Sequence, residues 1–380
     1  MHAEIAGAGL SGLVLASALA RNGWTVRVHE KTGELREIGA GIYLWENGLR
    51  ALESIGAYDA VVARAERLDE PTLRDHHGRT LQTEWLRNKR LYTVGRRHLH
   101  RCLVDTATSL GVDIRTESPI AGAESGGTLI GSDGTHYPAD LVVGADGVYS
   151  RVRESLGLRT KMVDLRDGGG RHLIPRTSDD PVHRAIEQWN GGRRIGVVPC
   201  SPEETYVFLC CPPADDVAGR RQQPFDPETW IESFPDFRSQ LERIPTDGEG
   251  RWAPFYDVHV SDWYTGRAAL LGDAAHAMSP NLGQAACVAM TNAVALALAI
   301  GQSHSIDRAL RMWESEQRSL SDGVQAYSRI YGRVGTRWPS NLLDVRSSVV
   351  RRFLGTRSAQ GGAINFAAEQ FPEGELTKTW

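Results

Sequence analysis

A chain that opens on a strand, a glycine-rich turn and an apolar helix, returns to an unbroken apolar strand near residue 141, and carries short strands bounded by Pro, Asp and Gly between residues 160 and 264 is predicted to be an α/β protein. The expected architecture is a Rossmann-like domain with an inserted, mainly antiparallel β-sheet domain and C-terminal helices. At 380 residues there is length for two domains, and 41% apolar residues is enough for a substantial core.

The opening unit carries the most information. A strand beginning at the second residue feeds Gly7-Ala8-Gly9-Leu10-Ser11-Gly12 and then Leu13-Val14-Leu15-Ala16-Ser17-Ala18-Leu19-Ala20. In a strand-GxGxxG-helix unit the first glycine permits the tight turn, the second lets backbone approach a pyrophosphate, and the third lets helix pack on strand. Leu10 and Ser11 stand where a helix begins, and the first N–H groups of a helix have no intrahelical acceptor and favour phosphate. Eighteen residues past Gly12, the strand Thr25-Val26-Arg27-Val28-His29 runs into Glu30, placed to bind the ribose hydroxyls of an adenosine.

Residues 31–41 form a glycine-rich loop, followed by Ile42-Tyr43-Leu44-Trp45. Asn47 is expected to cap a helix over 48–55, whose Leu49, Leu52 and Ile55 share one face and which Gly56 ends. Residues 71–94 read as a hairpin about Asp75-His76-His77-Gly78, a solvated turn. Helical periodicity returns at Leu99, Leu103, Val104 and Ala107, with Arg96 and Arg97 just ahead. Short strands follow at 111–114 and 129–132. A continuous apolar strand over 139–144, of the kind buried in a parallel sheet, then leads through Ala145-Asp146-Gly147 into a helix beginning near Val148.

Runs such as Arg194-Ile195-Gly196-Val197-Val198-Pro199 and Thr205-Tyr206-Val207-Phe208-Leu209-Cys210-Cys211 are expected to be antiparallel strands of the second domain. Parallel-type structure resumes at Ala268-Ala269-Leu270-Leu271-Gly272-Asp273. The expected division is therefore a discontinuous nucleotide domain (1–70, 95–165, 265–320), a sheet domain (71–94, 166–264), and a helical segment with a tail (321–380). In the third strand-turn-helix unit Asp273 suits a sugar-alcohol hydroxyl or a water near phosphate, and the helix start at 283–287 points N–H groups at an anion.

Composition narrows the partner. A formal charge of −4, with no basic run interleaved with aromatics, speaks against nucleic acid. The most apolar run, 285–300, contains Thr291 and Asn292 and is shorter than the roughly 20 residues of a membrane span, so it reads as a buried helix. Five cysteines, odd in number and without a CxxC pair, fit reduced thiols in the cytoplasm, and the histidines show no metal-ligand spacing. Met1 passes almost at once into the first strand, so no signal or transit peptide is expected.

Together, Gly7–Gly12 with Glu30, Gly144-Ala145-Asp146-Gly147 through Ser150 and Arg153, and Gly272-Asp273 through Pro280 resemble, in order and spacing over about the first 300 residues, the three flavin motifs of the group A flavoprotein monooxygenases, which share the p-hydroxybenzoate hydroxylase fold. The resemblance implies bound FAD, with NADH or, less favoured, NADPH as transient reductant and O2 as co-substrate. Oxygen then adds at flavin C4a, and one oxygen atom passes to an activated, hydroxyl-bearing ring. Within the family, Gly39-Ala40-Gly41-Ile42-Tyr43-Leu44-Trp45, Asn47-Gly48-Leu49-Arg50, Arg96 with His98-Leu99-His100, and Gly272-Asp273-Ala274-Ala275-His276-Ala277-Met278 are most similar to the oxygenases of 2-methyl-3-hydroxypyridine-5-carboxylic acid, which hydroxylate the ring and open it.

That resemblance implies that Tyr43, Arg171, Arg194 and Tyr206 face the substrate. It assigns cofactor contacts to Gly7, Gly9, Leu10, Ser11, Gly12, Glu30, Lys31, Arg36, Tyr43, Arg96, Asp146, Gly272, Asp273, Pro280, Gly283, Gln284, Ala285 and Ala286. An arginine fork suits a carboxylate, and Tyr206 suits a ring hydroxyl or its phenolate. Two pocket tyrosines of those oxygenases fall at Leu73 and Phe255, and two glycines beside the flavin become Ala285 and Cys287. The expected substrate is a small hydroxylated N-heteroaromatic carboxylate. The alternatives are a benzenoid hydroxy acid such as a salicylate, hydroxylated without cleavage, and a flavin-dependent dehydrogenase or reductase. Monomer and homo-oligomer are both open.

Overall fold

Apolar runs with β-branched residues place the first strand, His2–Ala6, inside a six-stranded sheet ordered Tyr264–Thr265, Ala268–Leu270, Leu141–Gly144, His2–Ala6, Thr25–His29, Asp113–Arg115. Every neighbouring pair is parallel except the first. The computed structural model describes the whole chain except residues 36–39, 84, 85, 87, 88, 214, 216–224, 247–251, 355–369, 375 and 377–380. Leu141–Gly144 is buried along its full length, as a strand covered on both faces must be. Helices Leu10–Arg21, Arg96–Ser109 and Ala285–Gly301 pack together on this sheet.

The second sheet has seven strands in the order Ala253–Val260, Thr160–Pro175, Glu204–Cys211, Arg193–Pro199, Ile186–Asn190, Thr72–Arg74, Thr80–Thr83. Only Thr72–Arg74 and Ile186–Asn190 run parallel. The hairpin read at 71–94 ends sooner than expected: Leu91–Gly95 pairs instead with Gly41–Trp45 and Glu66–Arg67 in a separate three-stranded sheet. Nor is its turn simply solvated. Arg79 bonds Asp344 of the last helix at 2.9 Å, and the His76 and His77 rings lie within 4 Å of the same carboxylate.

Two other expectations shift. The helix after Trp45 begins at Glu46 with no side-chain cap, because Asn47 is buried and its Oδ1 accepts the Gly48 N–H (2.9 Å); Gly56 does end it, at φ 81°. The helix after Gly147 starts only at Arg151, where Ser150 Oγ accepts the Arg153 N–H and makes the cap. At the C-terminal end, Ile306–Thr336 and Leu343–Leu354 are helical. Among the described residues no helix is long and apolar enough to cross a membrane.

Helix Ala285–Gly301 is buried almost all round, and its polar residues are absorbed by a network: Asn292 Nδ2 reaches His276 Nε2 and Ser321 Oγ, both at 3.0 Å, while its carbonyl accepts Trp313 Nε1–H. Burial pushes the His276 imidazole down to about 4. A depressed histidine leaves the unfolded chain binding the extra proton, so its stabilisation is complete above pH 6.5 and is lost as pH falls toward 4. His276→Gln is expected to remove up to about 3 kcal/mol of that acid sensitivity, read as the shift in urea midpoint between pH 7 and pH 4.5. A variant whose midpoint moves as far as wild type's would show that His276 is not its source.

Candidate active site

The three motif turns meet at the C-terminal edge of the parallel sheet, beside the point where strand order reverses around His2–Ala6. Packing makes them one unit. A Cβ on Gly7 would lie 2.4 Å from the Ala145 carbonyl oxygen, one on Gly12 would lie 2.1 Å from that of Gly7, and one on Gly272 would lie 2.6 Å from Ser11 Oγ. Arg153, buried, donates to the Ala274 and Val148 carbonyls at 2.8 Å each, tying the second turn to the third. Glu30 closes the far side: its Oε2 accepts the Ala8 N–H (3.1 Å), and its Oε1 accepts the N–H and hydroxyl of Thr32 (both 3.0 Å). His100 holds the Ala8 carbonyl from the helix Arg96–Ser109.

Between these turns and the second sheet lies a cavity of about 280 Å³. Tyr43, Arg171, Arg194 and Tyr206 all line it, as do Leu73, Phe255, Arg96, Pro280, Gly283, Ala285 and Ala286. Strand register explains why residues so far apart in sequence converge. Arg171 pairs with Phe208, Phe208 with Gly196, Gly196 with Glu187, Glu187 with Leu73 and Leu73 with Gln82. Directly paired residues point to one face, so this row forms the cavity floor. A Cβ on Gly196 would come within 2.0 Å of Phe208, so the Phe208 ring lies across the strand there. Gly41 also approaches the Tyr206 ring closely, at 2.6 Å for a Cβ, which seats the small sheet on the large one.

The charged groups are arranged unevenly. Arg194 is 1% exposed; its Nη2 bonds Asp167 at 2.5 Å and its Nη1 bonds Asn281 at 2.7 Å. Burial works against its charge, but the Asp167 and Glu187 carboxylates outweigh burial and raise its pKa. Both ends of the fork expected to hold a substrate carboxylate are therefore engaged within the protein, while among the described residues its buried Nε has no partner. Arg171 stands over the Phe255 ring and beside Tyr206. Burial pushes Tyr206 up to about 12 despite Arg171, and Tyr43 well above its ordinary value, so both stay neutral donors.

The chain matches a family model described as FAD binding domain over residues 1–317. The chain belongs to the FAD-dependent aromatic monooxygenases. It is 36% identical over 375 residues to the 2-heptyl-3-hydroxy-4(1H)-quinolone synthase of Mycobacteroides abscessus, covering 94% of this chain and 99% of that one. A 3-amino-4-hydroxybenzoate 2-monooxygenase of Streptomyces cremeus is 32% identical over 312 residues, 77% of this chain and 76% of its own. Among solved structures, the tetrameric form of 2-methyl-3-hydroxypyridine-5-carboxylic acid oxygenase superposes with a TM-score of 0.87 at 35% identity, over 99% of both chains.

The residues of the monooxygenase fit FAD. Gln284 is 1% exposed, yet among the described residues neither atom of its amide has a partner. Asp146 Oδ2 accepts the N–H groups of Arg151 and Val152, while among the described residues its buried Oδ1 is likewise unpartnered. A Cβ on Gly9 would meet no protein atom, so that face of the turn is open to a ligand. Asp273 is exposed at the head of its short helix, and Lys31 is exposed outside the cavity; Leu10 is buried. Arg36 lies outside the described residues. Cys287 is not beside the cavity. Its sulfur packs against Gly48 and the Trp45 N–H, and burial raises its pKa to about 12. Ala285 does reach the cavity wall.

Because the Gly12 contact holds helix to turn, Gly12→Ala is expected to weaken FAD binding by about tenfold or more, some 1.4 kcal/mol at the least. Gly126→Ala, where a Cβ meets nothing, is the control. Flavin retained equally by both after gel filtration would dissociate the turn from cofactor binding.

Proposed function

We propose that this monooxygenase uses NADH or NADPH to hydroxylate an N-heteroaromatic ring that carries a carbonyl or hydroxyl oxygen and an apolar substituent, in the manner of a 2-alkyl-4-quinolone. The observation that carries this reading is the state of Arg194: Asp167 and Asn281 already hold the two ends of its guanidinium, so a substrate carboxylate would have to compete with a buried ion pair for that fork. A carboxylate would also meet the half-buried Glu187 on the cavity floor. Leu73 and Phe255 replace hydroxyl-bearing side chains with apolar surface, which suits an alkyl or fused-ring substituent. The name of the Mycobacteroides abscessus relative points the same way.

FAD, when bound, supplies the activation of oxygen and its transfer. The chain supplies placement. Tyr206, kept protonated, donates to the ring oxygen; Arg171 beside it stabilises negative charge developing there; Phe208, Leu73 and Phe255 exclude water. Five described cysteines, all buried and free, fit a cytoplasmic setting. A second reading, a hydroxypyridine or hydroxybenzoic acid, is favoured by Arg171 and by the names of the 2-methyl-3-hydroxypyridine-5-carboxylic acid oxygenase and the 3-amino-4-hydroxybenzoate 2-monooxygenase.

The test is aerobic NADH and NADPH oxidation with 2-alkyl-4(1H)-quinolones, hydroxypyridine carboxylates and hydroxybenzoates, with each product weighed. Stimulation by the quinolones with gain of one oxygen is expected. Stimulation by the acids alone overturns the proposal, and a gain of two oxygens and two hydrogens would mark ring opening.

A further inference from the structure

Glu187 is the one carboxylate that lines the cavity among the described residues, and the flavin chemistry outlined above leaves it without a task. It is held rigidly: Oε1 accepts Trp189 Nε1–H at 2.7 Å and Oε2 accepts the Tyr331 hydroxyl at 3.0 Å. The two donor rings meet edge to face, with centroids 5.0 Å apart, so the carboxylate is clamped from its own strand and from the long helix Ile306–Thr336. Each oxygen retains a second lone pair. A carboxylate buried only to balance a cation would bond that cation, but the Arg194 fork turns to Asp167 and Asn281 instead.

Its position relative to Arg171 gives the charge a direction. The two residues occupy the same row of the floor, separated by the strands Glu204–Cys211 and Arg193–Pro199. Three strand spacings put their backbones about 14 Å apart. With one side chain extending from each end, what remains suits a ring with an oxygen at one edge and a hydrogen-bond donor at the opposite edge. Gly196, at the middle of the row, adds no side chain beneath it, and the Phe208 ring lies flat there.

We propose that Glu187 is a catalytic residue that accepts the ring N–H of the substrate, fixing which edge of the ring faces Arg171 and Tyr206 and taking that proton during hydroxylation. This rests on the reading of the substrate as an N-heteroaromatic ring with an oxygen opposite its nitrogen. As the N–H bond breaks, its electron pair enters the ring and raises electron density at the carbon beside the carbonyl; the proton rests on a Glu187 oxygen. After that carbon has gained oxygen, it loses its own hydrogen as a proton to solvent, the electron pair returns to the ring, and Glu187 gives the held proton back to nitrogen. No proton is gained or lost by Glu187 over the cycle.

The experiment compares 2-heptyl-4(1H)-quinolone with 2-heptylchromone, which has ring oxygen in place of N–H and nearly the same shape. Wild type is expected to bind the quinolone about a hundredfold more tightly, because the chromone presents a lone pair to a buried carboxylate. In Glu187→Gln that preference should shrink to about tenfold or less, and quinolone hydroxylation should slow about a hundredfold while flavin reduction by NADH is unchanged. Should the Gln variant not fold, Glu187→Asp serves: it keeps the charge but retracts it, and is expected to keep the preference while losing rate. Equal binding of the two ligands by wild type, or an undiminished preference in Glu187→Gln, overturns the role of Glu187 while leaving quinolone hydroxylation standing. Failure of wild type to bind or hydroxylate the quinolone at all overturns both.

Discussion

Replacing Asp167 by alanine is expected to cost the folded protein about 3–5 kcal/mol, because it leaves the Arg194 guanidinium charged, buried and without its hydrogen-bonded anion, with only the more distant charge of Glu187 to balance it. The pair is almost wholly removed from solvent, at 1% exposure for the arginine side chain and 6% for the aspartate. Asp167 Oδ2 also accepts the Thr336 hydroxyl (3.1 Å), and Arg194 holds Asn281, whose amide reaches Ser279 Oγ and the Ser328 carbonyl. The pair therefore binds the second sheet to the end of the long helix and to the turn Pro280–Leu282 that lines the cavity. The double variant Asp167→Leu/Arg194→Met removes both charges and is expected to recover most of the loss, as exchanging a whole buried pair for apolar groups commonly does. Guanidinium denaturation of the three proteins measures the cycle. A single variant within about 0.5 kcal/mol of wild type would mean that Arg194 finds another partner or water, and the argument that its fork is unavailable to substrate would fall with it.

The contrast between Arg194 and the glycine turns explains what was legible in the sequence. Gly7–Gly12, Asp146 and Gly272 act through backbone geometry fixed within a few residues, so spacing alone exposes them, and the structure packs all three turns together. The partner of Arg194 lies 27 positions away, on a long strand separated from that of Arg194 by Glu204–Cys211, and no local pattern marks one aspartate among many. Glu187 was hidden for a related reason. Nothing local marks its strand, and only the register through five further strands places it in one row with Arg171, Phe208 and Leu73. The hairpin at 71–94 was recognisable, but Leu91–Gly95 changes sheets because its partner Gly41–Trp45 is supplied from fifty residues upstream. Asn47 looked like a cap because sequence shows residue type and not burial.

Tyr206→Phe is expected to lower the rate of hydroxylation by about 10²–10³-fold, the usual consequence of removing one preorganised donor from a developing oxyanion, with flavin reduction left within about twofold. The substitution is a clean one. The ring itself is held by Gly41, whose close approach allows no larger residue, and by Phe208 at 5.8 Å between centroids, and phenylalanine keeps both contacts. What disappears is a hydroxyl that burial keeps protonated up to about pH 12 and that lies beside the Arg171 guanidinium. In the variant Arg171 remains, so charge is still balanced while the directed hydrogen bond is gone. Reduced flavin should then consume oxygen without transferring it, releasing peroxide in proportion to the lost product. Rapid-mixing spectra of the reductive and oxidative half-reactions, with product and peroxide quantified together, separate the two effects. Equal slowing of reduction and hydroxylation would instead place Tyr206 in substrate binding or in the closure of the cavity, and the donor at the substrate oxygen would have to be sought at Tyr43, another phenol on the cavity wall, since the Tyr331 hydroxyl is held by Glu187.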